Sequence, residues 1–259
     1  MSTNQRALDT HELEQRVKDM YREVAEEPFN EFHFETGRQL AERLGYPSDQ
    51  LDAIPPPSIE SFAGVGYYFD LAAITSGETV VDLGSGSGTD SFLAARQTGA
   101  DGRVIGIDMT EAQLAKATRL ATEHGFANVE FRNSYIEQLP LDSGSADVVI
   151  SNGVINLSPH KAKVFAEAAR ILRPDGRLAI ADIVTATQLP EGVTCDAALW
   201  AACIGGAMQR DDYREAIEAA GFQLDYLREN GQYRFVSERA ANATQKYGVK
   251  SVSLLAIKN

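Results

Sequence analysis

Cysteine is nearly absent, with two residues, Cys195 and Cys203, in a chain of 259. Two thiols build no disulfide framework, so the chain reads as one for a reducing compartment, the cytoplasm. Long apolar runs are missing too. None approaches the ~18 residues of a membrane span, and the first fourteen residues are too polar and charged for a secretory leader. Basic residues are scarce: 24 Lys and Arg against 37 Asp and Glu, a formal net charge of −13. Nucleic-acid partners call for a basic face, and no Lys/Arg cluster is present, so a nucleic-acid substrate is disfavoured. The excess acid serves solubility. The four histidines, His11, His33, His124 and His160, show no metal-ligand spacing. There are no internal repeats and no low-complexity segments.

A hydrophobic content of 44% is enough for a substantial core. Leu13, Val17, Met20, Tyr21 and Val24 fall on one helical stripe that Pro28 ends. Leu40, Ala41 and Leu44 suggest a second short helix, and Ile54-Pro55-Pro56-Pro57 reads as a stiff extended stretch. That places a helical cap over residues 1–57 and a core over 58–259. The loop that follows carries Phe62, Tyr67 and Tyr68, candidates for a pocket wall. Strand patterns then lie near 79–83, 103–108, 128–132, 146–151 and 177–184, with helical patterns near 89–98, 110–124 and 159–172 between them. Thr110 with Gln113 has the spacing of a capping box, and Arg173-Pro174-Asp175-Gly176 reads as a turn before the fifth strand. Regular alternation predicts an α/β, doubly wound, mostly parallel sheet. The pattern breaks over about 185–209, an apolar insertion above the strand ends. A helix near 211–220 and a final strand near 248–258 close the chain.

One run concentrates the chemistry. Thr79-Val80-Val81-Asp82-Leu83 is a strand ending in an acid region, and Gly84, Gly86 and Gly88 follow at alternate positions. Val104-Ile105-Gly106-Ile107 is a second strand, ending in Asp108. Glycines permit a sharp strand-to-helix turn and the approach of a ligand to bare backbone. Asp108 is placed to accept hydrogen bonds from ribose hydroxyls. The glycine spacing differs from the dinucleotide G-x-G-x-x-G, and a carboxylate at Asp82 repels a pyrophosphate but attracts an ammonium. An adenosine cofactor with an ammonium, a ribose and no phosphate fits: S-adenosylmethionine rather than NAD.

These runs, with Ala169-Arg170-Ile171-Leu172-Arg173-Pro174-Asp175-Gly176-Arg177-Leu178, resemble class I S-adenosylmethionine-dependent methyltransferases. The resemblance implies a Rossmann-like sheet of seven strands, the last antiparallel. Gly106-Ile107-Asp108-Met109-Thr110, the run Ser151 to Pro159, and Leu199 to Ala207 are similar, more narrowly, to bacterial arsenite methyltransferases, as is Tyr247 to Ser251. Carried over residue by residue, Asp82, Gly84, Ser85 and Gly86 hold the amino-acid tail, and Met109 packs on the adenine. The backbone of Ile136 and the carboxylate of Glu137 read the adenine edge. Asn152 runs beneath the methionine part, and Tyr21 closes over the cofactor. Gly153, Asn156, Trp200 and Cys203 stand on the acceptor side, with His160 the histidine nearest that face.

The departure from the arsenite enzymes is as informative as the likeness. Those enzymes bind arsenic through three cysteine thiolates, as a soft centre requires. Here the N-terminal segment has no cysteine and Gly153 replaces the second; Cys203 remains, with Cys195 eight residues before it. The sequence therefore points to methylation of a small molecule, with no catalytic base assigned and the oligomeric state open. Arsenite at Cys203 and Cys195 is one alternative, and a non-catalytic cofactor-binding module another.

Overall fold

The computed structural model describes residues 8–195, 200, 204–236 and 238–259. Helix α1 spans Thr10–Glu26, capped by the Asp9 carboxylate, which accepts from the His11 and Glu12 amides. Helices α2 (Arg38–Leu44), α3 (Ser48–Asp52), α4 (Pro56–Glu60) and α5 (Phe69–Ala72) follow. The core then runs β1 (Thr79–Leu83), α6 (Thr89–Thr98), β2 (Arg103–Asp108), α7 (Glu111–Glu123), β3 (Val129–Asn133), β4 (Ala146–Asn152), α8 (Lys161–Ile171) and β5 (Leu172–Thr185). Beyond it lie α9 (Glu191–Thr194), β6 (Met208–Gln209), a helix Arg210–Ala219, β7 (Phe222–Glu229), a helix Glu238–Tyr247 and β8 (Lys250–Lys258).

The sheet order is β3-β2-β1-β4-β5-β8-β7, with two-residue β6 paired to the end of β5. Strands β1 to β5 are mutually parallel, and β8 lies antiparallel between β5 and β7. The expected seven-strand path with an antiparallel last strand is therefore present, and β6 makes eight. Winding outward from β1 to β3 and returning at β4 opens a crevice at the carboxyl ends of β1 and β4, where ligands of such sheets bind. The central strands are apolar on both faces, as helices on each side demand; Val80, Val81, Val148, Val149 and Ile150 are all fully buried. Leu13, Val17, Leu40 and Leu51 of the N-terminal helices share one hydrophobic cluster with Val80, Phe92 and Val148.

Several local expectations change. Pro56 opens a helix instead of extending a rigid stretch, because proline's fixed φ suits the first helical position. Thr110 precedes α7, but its hydroxyl makes no capping bond. Gln113 is used elsewhere, accepting from Ser87 Oγ and donating to the Tyr21 carbonyl at 2.8 Å. The Arg173–Gly176 turn lies inside β5, with Asp175 at φ 61°. Strand β7 is absent from the sequence reading although Phe222, Leu224 and Tyr226 alternate with polar residues; four of its eight residues are exposed and only Phe222 is buried. Among the described residues no helix is long and apolar enough to cross a membrane, and no three acidic, histidine or cysteine side chains gather as metal ligands.

Candidate functional site

The strand-to-helix turn after β1 is the foundation of the site. Gly84 has φ 74°, and a Cβ there would fall 2.4 Å from Val154 Cγ2, so both conformation and space require glycine. Gly86 has φ 52° and its amide donates to Asp108 Oδ2 at 2.9 Å, while the Thr110 amide donates to Oδ1 at 2.8 Å. Those two amides fix the Asp108 carboxylate at the end of β2, with its remaining lone pairs available to hydroxyls. Over this turn opens a cavity of about 540 Å³, within the size range of small-molecule sites. Tyr21, Asp82, Gly84, Ser85, Gly86, Asp108, Met109, Ile136, Glu137 and Asn152 all line it. They come from α1 and from the ends of β1, β2 and β4 and the loop after β3, and the topology brings every one to the same hollow.

The electrostatics of the floor are unusual. Asp82 is 2% exposed and accepts from Ser91 Oγ at 2.6 Å. Asp90, in the first turn of α6, is 6% exposed and also lines the cavity. It accepts from Tyr68 at 2.6 Å, Tyr46 at 2.8 Å and Asn152 Nδ2 at 3.1 Å. Burial, then the nearby Asp90 carboxyl, pushes Asp82 up to about 8; burial likewise raises Asp90 and Asp108. Among the described residues no basic side chain pairs with Asp82 or Asp90; their partners are neutral hydroxyls and an amide. Two desolvated carboxyls facing a cavity without a counter-ion form a receptor for a cation. Asp90 was not singled out from sequence. Its one signal is an acid in the otherwise apolar and small first turns of α6.

Asn152 also accepts from the Val65 amide at 2.7 Å, which ties the 62–68 loop over the end of β4. Phe62 of that loop lines the cavity, whereas Tyr68 faces inward on Asp90 and is fully buried. Helix α1 roofs the other end. Tyr21 stacks on Phe34 with centroids 5.9 Å apart, and Gln113 and Lys116 bind the Tyr21 and Ala25 carbonyls, holding the roof to α7. Glu137 accepts from Ser158 Oγ through Oε1. His11 and His160 both stand on the lining.

The acceptor-side residues are arranged differently. Gly153, Asn156 and Trp200 are buried beside the cavity instead of on its lining. Gly153 has φ 72°, and a Cβ there would sit 3.1 Å from Val65 Cγ1, against hydrocarbon. Cys195 is a half-buried free thiol, and Cys203 lies outside the described residues. Sequence reading also passed over Lys161, Asp182 and Tyr213, which cluster at the end of β5; each sits in an ordinary apolar element, and only the fold gathers them.

The residues present fit S-adenosylmethionine on structural grounds. The carboxyl pair suits its ammonium, Asp108 its ribose, and Ser85 Oγ, on the cavity lining, is buried without a hydrogen-bond partner among the described residues. Comparison with known proteins agrees. The model of the methyltransferase domain family matches residues 74–221, and that of protein-L-isoaspartate(D-aspartate) O-methyltransferase matches residues 7–136. An arsenite methyltransferase of Halobacterium salinarum is 42% identical over 189 residues, covering 73% of this chain and 48% of that protein. The chain thus spans about half the length of the curated relatives it matches. Among solved structures, an arsenic(III) S-adenosylmethionine methyltransferase of Chlamydomonas reinhardtii superposes with TM-score 0.63 at 28% identity, covering 86% of this chain and 74% of that one. The cyclase SpnF shares the fold at TM-score 0.67 and 17% identity, with 97% of each chain covered. The chain belongs to the methyltransferase domain family, in the S-adenosylmethionine-dependent class I.

Proposed function

We propose that this chain transfers a methyl group from S-adenosylmethionine to a small, largely apolar molecule. The observation that carries the reading is the Asp82–Asp90 carboxyl pair, without a basic partner among the described residues, at the glycine turn of a 540 Å³ cavity. When bound, the cofactor supplies a methyl group already activated on a sulfonium. The protein's own task is then alignment of the acceptor and exclusion of water, effects that supply roughly 7–11 kcal/mol of a barrier. Asp82 and Asp90 accept from the ammonium, and Ser85 Oγ and the backbone of Gly84 and Gly86 hold the tail. Asp108 holds the ribose. Met109, the Ile136 backbone and the free oxygen of Glu137 take the adenine, and Tyr21 closes over it.

The acceptor end is walled by Phe62, Ala63, Gly64, Val154 and Leu157, with Gly153, Asn156 and Trp200 as its backing. Such a wall suits a small molecule with an apolar body. No nucleic-acid partner is proposed, and scarce cysteine supports the reducing cytoplasm as the compartment.

Arsenite is the second reading, favoured by the identity to arsenite methyltransferases. Against it, the position of Gly153 faces Val65 methyl groups where a thiolate is needed. The two readings separate in one experiment. The protein is incubated with methyl-labelled cofactor, arsenite and a metabolite extract, and products are read by mass spectrometry. A labelled organic product supports small-molecule methylation. A methylated arsenical supports the alternative. Tight cofactor binding with no transferred label indicates a binding module.

A further inference from the structure

We propose that Lys161 is a positioning residue whose ammonium seats the Trp200 indole on the loop flooring the acceptor end of the cavity. The inference rests on the reading of that end given above. Lys161 opens α8 and is 6% exposed. Its Nζ donates to the Asn156 carbonyl at 3.1 Å and the Ser158 carbonyl at 2.8 Å, and lies 4.9 Å from the centre of the Trp200 ring. A buried lysine ordinarily sits against a carboxylate. The carboxylate within electrostatic range from β5 is Asp182, but it accepts from Tyr213 of the helix Arg210–Ala219 at 2.7 Å and makes no ion pair with Lys161. Glu137, after β3, is the other acid that faces it, and Glu137 accepts from Ser158. The charge is therefore spent on two loop carbonyls and an indole face.

Those contacts join three pieces of chain. The loop supplying the carbonyls also supplies Val154, Leu157 and Ser158 to the cavity lining. Trp200 is anchored on its far side by Nε1 donating to the Thr194 carbonyl at 2.6 Å. The turn after it presses on the same loop: a Cβ on Gly206 would fall 1.9 Å from the Asn156 carbonyl oxygen and 2.6 Å from the Trp200 ring. A cation held between carbonyls and an aromatic face binds both. An apolar side chain of equal length packs on the indole but leaves two buried carbonyls without a donor.

Trp200 is the single tryptophan of the chain, so the emission comes from this one ring. Burial lowers the Lys161 ammonium to about 8. Wild-type emission is expected to show one step with a midpoint near that pH, as the charge beside the ring disappears. K161M should abolish the step and raise the rate of chymotrypsin cleavage after Trp200 several-fold. K161R, which keeps a cation at all these pH values, should show neither the step nor the faster cleavage. S-adenosylmethionine affinity by calorimetry should stay within two-fold in both variants. Flat wild-type emission between pH 6 and 10, or unchanged cleavage in K161M, overturns the proposal; should K161M not fold, the wild-type titration decides. None of these readouts needs turnover, so a chain that transfers no methyl group would refute the functional reading and leave this one to be judged separately.

Discussion

The two ends of the cavity are built by different means. The cofactor end is a strand, a glycine turn and a helix in unbroken succession, with Asp82, Gly84, Gly86 and Asp90 inside nine consecutive residues. Its chemistry is fixed by backbone conformation and by carboxyls that lack cationic partners. The acceptor end is an assembly of distant pieces: Phe62 and Val65 from one loop, Val154 to Leu157 from another, and Trp200 from the insertion, held by Lys161, Asn152 and Asn156. On the proposed reading, the receptor for the cofactor is local and acidic, whereas the receptor for the acceptor is non-local and largely apolar. Changes at the first end should therefore move cofactor affinity directly, and changes at the second should leave it alone.

The largest effect is expected at Asp82. Asp82→Ala removes the partner proposed for the ammonium and should weaken S-adenosylmethionine binding by about 1.5–3 kcal/mol, roughly 10- to 100-fold. Unchanged affinity by calorimetry would remove Asp82 from the site. Asp90→Asn keeps an oxygen acceptor for Tyr46 and Tyr68 but deletes a charge, and should cost about ten-fold, near 1.4 kcal/mol. An affinity equal to wild type would make Asp90 a purely structural partner of the two tyrosines. Ser85→Ala removes one neutral hydrogen bond worth about 0.5–1.5 kcal/mol, so a loss of a few-fold is expected. At the other end, Cys203→Ser should change neither cofactor affinity nor transfer to an organic acceptor. Loss of transfer in that variant would move thiol chemistry into the account.

pH sharpens the same contrast. Asp82 is raised to about 8 and Asp182 to about 6, both chiefly by burial. Between their ordinary values and these, the folded chain holds protons that the unfolded chain has released. Their contribution is thus complete at low pH and is lost as pH rises through 6 and then 8. Lys161, lowered to about 8, works in the opposite sense and restores stability between about 8 and its ordinary value of 10.5. Thermal unfolding without cofactor should show a falling midpoint from pH 5 to about 8, and Asp82→Asn should flatten that fall. A midpoint that rises steadily over this range contradicts the assignment of protonated carboxyls at the turn.

The unequal construction also governs what the sequence reveals. Asp82, the glycines and Asp108 were legible because strand, turn and second acid stand at spacings that only one geometry satisfies. All ten cofactor candidates line one cavity, Tyr21, Met109, Ile136, Glu137 and Asn152 having been assigned through the family resemblance. Asp90 escaped notice since an acid in the first turn of a helix is also what the helix dipole favours. Tyr46 escaped since its hydroxyl meets Asp90 only across 44 residues of chain; Tyr68 was expected on the pocket wall, and instead its hydroxyl meets Asp90 across 22 residues. Lys161 reads as a surface residue at a helix start, and only the packing of Trp200 and the Asn156 loop buries it. Strand β7, half-exposed at the sheet edge, carries only the short alternation Phe222, Leu224, Tyr226, which is broken by Leu227-Arg228-Glu229. Thr110 and Gln113 show the converse case: a local motif was present, but contact with α1 took Gln113 for another purpose.

The central claim is that a carboxyl pair at a glycine turn selects a cationic, phosphate-free nucleoside. Calorimetric titration of the wild-type protein with S-adenosylmethionine and, separately, with NADH at pH 7.5 tests it most directly. Saturable binding of the sulfonium cofactor and no heat with the dinucleotide is the predicted result. Binding of NADH without binding of S-adenosylmethionine would contradict it.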